Sequence, residues 1–246
     1  MIWVFSATGN SRHAADRLGQ LLSEPVRDLS QCKGTLSLQD QREIFVLPLY
    51  FWGLPSLVQE WLGRTAAQPH STAHVVMTCG GTLGGGDRLI RRNFRKAGFS
   101  HVYVHELVMQ TNYIVLHRTG SQSEADRRLA AAEAEIGRIA DDIRENRSRY
   151  RSALPKGILA AVFHGYYQLR RTTRPFRVSD ACIGCGQCAK GCPAGAIAMV
   201  QGRPRWTKPR CALCLRCLHR CPALAIDYGR ATRGKTRYVY PSVRER

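Results

Sequence analysis

Eight cysteines between positions 182 and 221 constrain this chain more than any other feature. They fall as Cys182-x2-Cys185-x2-Cys188-x3-Cys192-Pro193 and again as Cys211-x2-Cys214-x2-Cys217-x3-Cys221-Pro222, each position displaced from its twin by 29 residues. Thiols so close together suit a metal cage better than a set of disulfides, and they imply a reducing compartment. Runs of this form bind iron–sulfur clusters, and the general rule for paired runs is that the fourth Cys of each ligates the other cluster. By that rule Cys182, Cys185, Cys188 and Cys221 hold one 4Fe-4S cluster, and Cys211, Cys214, Cys217 and Cys192 hold the second. Three thiolates on a tight loop wrap one corner of a cubane, while Gly184, Gly186 and Gly191 let the backbone curl and turn its amides toward sulfur. The repeat runs on beyond the cysteines, with Ala194, Ala196 and Ile197 matching Ala223, Ala225 and Ile226. A pair of zinc sites would call for two Cys-x2-Cys pairs separated by a longer spacer, which these crowded runs do not have. A segment of about 55 residues buries little apolar surface, so the clusters are expected to supply much of its folding energy and the apo segment to be largely unfolded.

The remainder has globular composition, 44% hydrophobic and 22% charged over 246 residues, which excludes disorder, collagen and coiled coil. Its apolar runs are far shorter than the roughly 18 to 20 residues of a membrane-spanning helix. Met1 leads into Ile2-Trp3-Val4-Phe5 without a basic n-region, so a soluble, cytoplasmic chain with no secretory signal is expected. The net charge of +19 is uneven: residues 151–246 carry 19 of the 37 basic residues and 3 of the 18 acidic ones. That asymmetry predicts two domains with different surfaces, with boundaries at 1–150, a linker over 151–175, and 176–246 ending in a basic tail.

Residues 1–150 read as strands alternating with helices. Ile2 to Phe5 is an apolar strand, Ser6-Ala7-Thr8-Gly9-Asn10-Ser11 a turn, and Arg12 to Leu22 a helix. Strands at Glu43 to Leu49, His74 to Thr78 and His101 to Val108 alternate with helices at Ser56 to Gly63, Asp87 to Lys96 and Glu124 to Arg147. That order predicts an α/β doubly wound parallel sheet, followed by a small α+β cluster domain. Ligands of such sheets sit beyond the carboxyl ends of the strands, and three loops there have unusual chemistry. The Ser6 to Ser11 loop offers hydroxyls and amides at a helix N-terminus, which suits a phosphate. It has neither the G-x-G-x-x-G nor the G-x4-G-K-[ST] pattern, so a monophosphate fits better than NAD or ATP. Tyr50-Phe51-Trp52-Gly53-Leu54 offers aromatics to a flat ring, and Cys79-Gly80-Gly81-Thr82-Leu83-Gly84-Gly85-Gly86-Asp87 is glycine-rich enough to lie against it. Together the three loops predict flavin mononucleotide. Cys79 in that last loop is expected to be a small buried residue before a reactive thiol, and no role is assigned to Cys32.

Residues 1–150 resemble a flavodoxin-type domain, with Ser6-Ala7-Thr8-Gly9-Asn10-Ser11 resembling the S-x-T-G-N-[TS] phosphate loop of that family. With the two cysteine runs, and with Pro48 to Pro55 and Asn112-Tyr113, nearly the whole chain is similar to flavodoxin and ferredoxin fusion proteins of anaerobic bacteria and archaea. The resemblance implies that Ser6, Thr8, Gly9, Asn10 and Ser11 bind the FMN phosphate, while Tyr50, Trp52, Gly53, Gly80 and Gly81 border the isoalloxazine. Phe51, Cys79 and Asp87 complete the expected flavin loops. The basic charge of the cluster part departs from the acidic character common in flavodoxins and small ferredoxins.

Between the domains Leu154 to Leu169 is apolar and aromatic, followed by Arg170, Arg171, Arg174 and Arg177. Such a helix either packs as a spacer between domains or lies on an anionic membrane, peripherally at its inner face. The expected function is electron transfer between FMN and the clusters and on to an acidic redox partner protein. The alternative is a flavoenzyme whose clusters feed or drain FMN while it acts on a quinone-like or tetrapyrrole-like molecule. For that role His13, His105 and Glu106 are the available acid–base candidates. A cluster-based sensor binding nucleic acid is a third reading, and no nucleic-acid fold motif accompanies the basic tracts.

Overall fold

A computed structural model describes residues 1–32, 34, 36–38, 40–151 and 156–241. Leu154 and Pro155 of the expected linker, and positions 242–246 of the expected basic tail, lie outside the described residues. The chain divides into two compact units: unit 1 comprises Met1–Ser6, Asn10–Gln110 and Gln122–Gln168, and unit 2 comprises Ala7–Gly9, Thr111–Ser121 and Leu169–Arg246. The short segments 7–9 and 111–121 thus group with the cluster domain, which sequence order alone does not suggest.

Unit 1 is built on five parallel strands, β1 (Ile2–Val4), β2 (Val26–Asp28), β3 (Arg42–Pro48), β4 (Thr72–Cys79) and β5 (His101–Val108). They lie in the order β2-β1-β3-β4-β5, with Ile2 opposite both Val26 and Ile44, Arg42 opposite Thr72, and Thr72 opposite His101. A parallel sheet in that order is the flavodoxin-like doubly wound fold. A parallel sheet must be covered on both faces, and the strands are accordingly apolar on both. Trp3, Phe5, Phe45, Leu47, Val75, Met77 and Val104 form one core with Val58 and Trp61 of α2 (Ser56–Leu62) and Ile90 and Phe94 of α3 (Asp87–Lys96). Phe45 anchors it edge-on against Trp61, Phe94 and Phe99. The alternate residues Ile2, Val4, Ile44, Val46 and Val76 are also buried, on the face where α1 (Asn10–Leu22) and α4 (Gln122–Arg144) pack together. Ala132, Ile136, Ile139, Ala140 and Ile143 are the buried stripe of α4.

The strands and helices expected from periodicity are all present, with ends shifted by a few residues. The edge strand β2 was not expected: it is three residues long and follows Glu24-Pro25, too short for an alternating pattern to declare itself. A two-residue pair, Leu36–Ser37 with Thr65–Ala66, lies outside the main sheet.

The linker is helical, α5 (Lys156–Arg170). Its inner face belongs to unit 1: the Tyr167 hydroxyl accepts from Ser56 N at 3.3 Å, and the Phe51 ring stacks on Tyr167 at 5.7 Å. Its outer face leaves Ile158, Val162 and Leu169 exposed. Among the described residues no helix is long and apolar enough to cross a membrane.

Unit 2 contains two antiparallel pairs. β6 (Phe176–Val178) pairs with β9 (Ile226–Tyr228), and β7 (Ile197–Val200) forms a hairpin with β8 (Arg203–Trp206). Two one-turn helices, α6 (Gln187–Lys190) and α7 (Arg216–His219), follow the second cysteine of each run and carry Cys188 and Cys217. The internal repeat is therefore structural: turn, short helix, then strand, twice.

Candidate cluster sites and flavin loops

In unit 2 the fourth cysteine of each run stands near the other run. Cys188 interacts with Cys185 and Cys221, and Cys211, Cys214 and Cys217 all interact with Cys192, Cys217 with Cys188 as well. A cavity is lined by Cys182, Cys185, Cys188 and Cys221 together, closed by Met199, Pro204 and Ile226. Backbone amides point at the sulfurs: Ala196 N donates to Cys192 Sγ and Ala225 N to Cys221 Sγ, both at 3.3 Å, and Leu213 N donates to Cys211 Sγ at 3.4 Å. Such amides stabilise a thiolate that carries part of a cluster's negative charge. Burial pushes the Cys211 thiol up to about 11 and Cys214 to about 12. Holding a cluster therefore requires the proton to be displaced by iron. Among the described residues no three His, Cys, Asp or Glu side chains gather tightly enough for a single metal ion. The donor sets, the amides and, for the first set, the cavity fit cubanes, whose four sulfurs stand farther apart than those around one ion.

The loops that bend around these sites need left-handed backbone at three positions per run. Gly184, Gly186 and Gly195 have φ of 68°, 72° and 52°, and their twins Leu213, Leu215 and Leu224 have 48°, 56° and 50°. Gly191, expected to serve the same purpose, has φ of −88° and ends α6 instead.

In unit 1 three loops leave the carboxyl ends of β1, β3 and β4. Strand order reverses between β1 and β3, the position where ligands of this fold enter. After β1, Gly9 has φ of 109°, which a side chain would oppose, and α1 starts at Asn10. Ser11 Oγ bonds Thr78 Oγ1 at 2.8 Å, and Asn10 Nδ2 donates to Gln110 O at 2.8 Å. Within unit 2, Thr8 Oγ1 accepts from Asn112 Nδ2 at 2.5 Å and Thr8 O accepts from Tyr240 N at 2.7 Å. Accepting from Asn112 leaves the Thr8 O–H to donate, and the Ser11–Thr78 pair has two O–H groups for one mutual bond. With the dipole of α1 behind it, the Ser11–Thr78 pair of unit 1 fits a phosphate monoester. Ser6 is half-buried at the mouth of the same loop.

After β3, Tyr50 and Gly53 exchange backbone bonds at 2.9 and 3.0 Å, which forces Phe51 and Trp52 to φ of 49° and 59°. Two consecutive aromatics in the left-handed region are strained, and packing holds them there. Phe51 lies on Tyr167, and Trp52 meets Phe163 edge-on at 4.9 Å. Tyr50 also meets Tyr167, edge-on at 6.0 Å, so all three aromatics expected beside a flat ring are half-buried and have ring contacts with α5. His164 locks the turn from α5: its Nδ1–H donates to Tyr50 O at 3.2 Å, its Nε2 accepts from Gln59 Nε2 at 2.7 Å, and burial keeps its basicity below the usual value. A Cβ on Gly53 would come within 2.3 Å of that imidazole.

After β4, Gly80, Gly81 and Thr82 are exposed, and a Cβ at Gly81 would meet nothing within 4 Å. The next glycines serve packing, because a Cβ on Gly84 or Gly86 would fall 2.2 Å from the Trp52 ring or 2.1 Å from its carbonyl oxygen. Glu106 holds this loop by accepting from Leu83 N at 2.6 Å. Cys79 is buried, its thiol pushed up to about 12, and so is a poor nucleophile. Asp87 is buried at the first turn of α3, 3.6 Å from Arg91.

Sequence reasoning missed His219. In unit 2 its Nε2 donates to Asn112 O at 2.7 Å while Nδ1 accepts from Tyr238 N at 3.1 Å, which links α7 through Asn112 to Thr8. A lone histidine after Cys217 gave no sign of this.

The sheet and the paired cysteine runs define the class: a flavodoxin-like unit joined to an iron–sulfur unit with a redox role. Residues 174–232 match the family model described as 4Fe-4S dicluster domain. A 46-residue stretch is 41% identical to one subunit of the ion-translocating oxidoreductase complex of Methanosarcina acetivorans. It covers 19% of this chain, and the chain spans only 17% of the length of that curated relative. Among solved structures the chain is similar to an azoreductase from Bacillus anthracis, at TM-score 0.39 and 7% identity over 57% of this chain and 98% of that one. It is also similar to a flavodiiron core from Synechocystis sp., at TM-score 0.37 and 18% identity over 59% of this chain and 36% of that one.

Proposed function

We propose that the chain is an electron carrier in which flavin mononucleotide held by unit 1 and two 4Fe-4S clusters held by unit 2 share electrons and pass them to a redox partner protein. The observation that carries this reading is the cavity that Cys221 of the second run lines together with Cys182, Cys185 and Cys188 of the first, which supports an exchange of fourth ligands. It ties both clusters into one folded unit and keeps them close. Cys182, Cys185, Cys188 and Cys221 would hold the first cluster, and Cys211, Cys214, Cys217 and Cys192 the second. Ser11 and the amides opening α1 would hold the flavin phosphate, with Tyr50 and Gly80 to Thr82 beside the ring. Bound there, each cluster supplies a one-electron site and the flavin a one- or two-electron site. Joining them in one chain raises the effective concentration of each for the other. The exposed apolar face of α5, with Arg170 at its end, suits peripheral contact with an anionic membrane.

The alternative enzyme needs an acid or base at the flavin, and the three candidates are otherwise engaged. His13 pairs with Glu133, His105 is buried against His74, and Glu106 accepts from Leu83 N. This favours a carrier over an enzyme. The test is anaerobic reconstitution followed by iron, sulfide and flavin analysis and a stepwise reductive titration. Two clusters and one FMN per chain, with no turnover of quinones, are expected. Chains that bind no flavin would overturn the flavin assignment, and quinone reduction at catalytic rates would overturn the carrier.

A further inference from the structure

The two cluster sites of unit 2 face different surroundings. The second set is the more enclosed: Cys211 is buried, as are Ala212, Leu213, Leu215 and Leu218, while Cys192, Cys214 and Cys217 are half-buried, and α7 is tied through His219 to Asn112 and on to Thr8. The first set opens outward, with Cys185 and Ile183 exposed at its edge. Its remaining wall is the β7–β8 hairpin, where Met199 and Pro204 stand opposite each other and both line the cavity.

Pro204 also lines a second, open cleft in unit 2. That cleft collects Arg174, Arg177, Arg203, Arg205 and Lys208, against a single acid, Asp180, which is ion-paired to Arg203 at 3.2 Å. Phe176 and Trp206 also line it, stacked at 4.6 Å with their planes within 5°. Arg174 and Arg205 are exposed. A single residue, Pro204, is thus shared by a strongly cationic cleft and the cavity of the first cysteine set.

We infer that this cleft is the docking surface for a one-electron redox protein with an acidic face, and that electrons enter or leave the chain there through the site of Cys182, Cys185, Cys188 and Cys221. The inference rests on the proposed electron-carrier function and adds to it the place and polarity of the exchange. Charge complementarity of this kind accelerates encounter and sets orientation. A partly exposed Trp in the cleft is the type of residue that anchors an interface. The partner supplies or takes one electron from its own redox centre, and no bond is made or broken. The residues of the cleft bind and orient it, and Pro204 is the residue the cleft shares with the cavity of the cysteine set.

The test uses full-length holo protein and cytochrome b5, an acidic one-electron haem protein, as the probe. Calorimetry reads association, and stopped-flow haem absorbance reads electron transfer from the pre-reduced chain. Arg174→Glu/Arg205→Glu is expected to weaken binding and slow transfer at low ionic strength by about tenfold or more, and to flatten the salt dependence. Arg127→Glu/Arg138→Glu on α4 makes the same change in net charge and is expected to stay within about twofold of the parent. Equal losses in both variants, or unchanged binding in the first, would overturn the docking surface. So would loss of DNA retention in the first variant while cytochrome binding is kept. Iron and sulfide content, with the stepwise reductive titration of the chain alone, reports separately on the carrier reading. Normal values there alongside a negative docking result would dismiss the cleft alone.

Discussion

At the scale of single residues, the twin cysteine runs reach the same backbone shape with different side chains. A left-handed residue other than glycine costs roughly 1 to 2 kcal/mol. The first run avoids that cost with Gly184, Gly186 and Gly195, while the second bears it at Leu213, Leu215 and Leu224. Leu213 and Leu215 offset it by being buried, whereas Leu224 is largely exposed. The exchange of fourth ligands has a sharp consequence for paired substitutions. Cys192→Ser/Cys211→Ser should cost one cluster, about half of the iron, because both thiols serve one site, whereas Cys192→Ser/Cys182→Ser should cost both. Iron and sulfide assays check this, and an unexchanged ligand set would give the reverse. The cysteines were readable because their chemistry depends on spacing alone. His74 and His105 were not, because only the pairing of β4 with β5 brings His74 Nδ1 to 3.1 Å from His105 Nε2, beneath Asn146. Burial, with Arg42 near His74 and with His74, Arg91 and Arg149 near His105, holds both well below the usual histidine value, against opposing pulls on His74 from its hydrogen bond to Asn146 and from Asp142. The folded chain therefore stays neutral there while the unfolded chain takes up protons as pH falls through about 6.5. Stability present at neutral pH is lost below that point, by about 1.4 kcal/mol per pH unit for each such histidine. Thermal melts of the parent from pH 7.5 to 5.5 should fall more steeply than those of His74→Gln/His105→Gln, and the difference between the two cancels any common loss of clusters.

At the scale of elements, α5 packs one face on unit 1 and leaves the other open. Its Tyr167 and His164 face secures the Tyr50 to Gly53 turn of unit 1. It leaves Ile158, Val162 and Leu169 uncovered, at 78%, 62% and 72% exposure, too much for packing within the chain to explain. Burying a Val or Ile side chain yields about 1.5 to 3 kcal/mol. Holo protein should therefore co-sediment with vesicles rich in anionic phospholipid, and Ile158→Glu/Val162→Glu should lower the bound fraction about tenfold or more. Equal sedimentation of both proteins would show that this face meets something other than lipid. The strands and helices of unit 1 were legible where their apolar pattern runs seven residues or more, as in β3, β4, β5 and α4. β2 was not, because three residues at a sheet edge carry no period. The turn after β3 was legible as a loop, but not the packing of Phe51 and Trp52 against α5, since sequence order places α5 more than a hundred residues away.

At the scale of the whole molecule, the two units owe their stability to different sources. Unit 1 has a two-faced sheet with a continuous aromatic core, whereas the strands of unit 2 are three or four residues long and surround the cysteine sites. Anaerobic removal of iron with a chelator should leave the helical far-UV signal of unit 1 largely intact while opening positions 170–241 to protease. Protection of that segment in the iron-free chain would show that its own core suffices. The sequence by itself determined the cluster chemistry, because thiolate spacing is local and iron–sulfur ligation tolerates little variation. It also determined the order of strands and helices, because burial on two faces imposes periods of 2 and 3.6 on the chain. Tertiary structure alone decided which cysteine set opens beside the basic cleft, which aromatics are covered by α5, and that Thr8 is joined through Asn112 to His219. Those outcomes depend on segments far apart in the chain coming within a hydrogen bond of each other, and no local pattern of residue types encodes that distance.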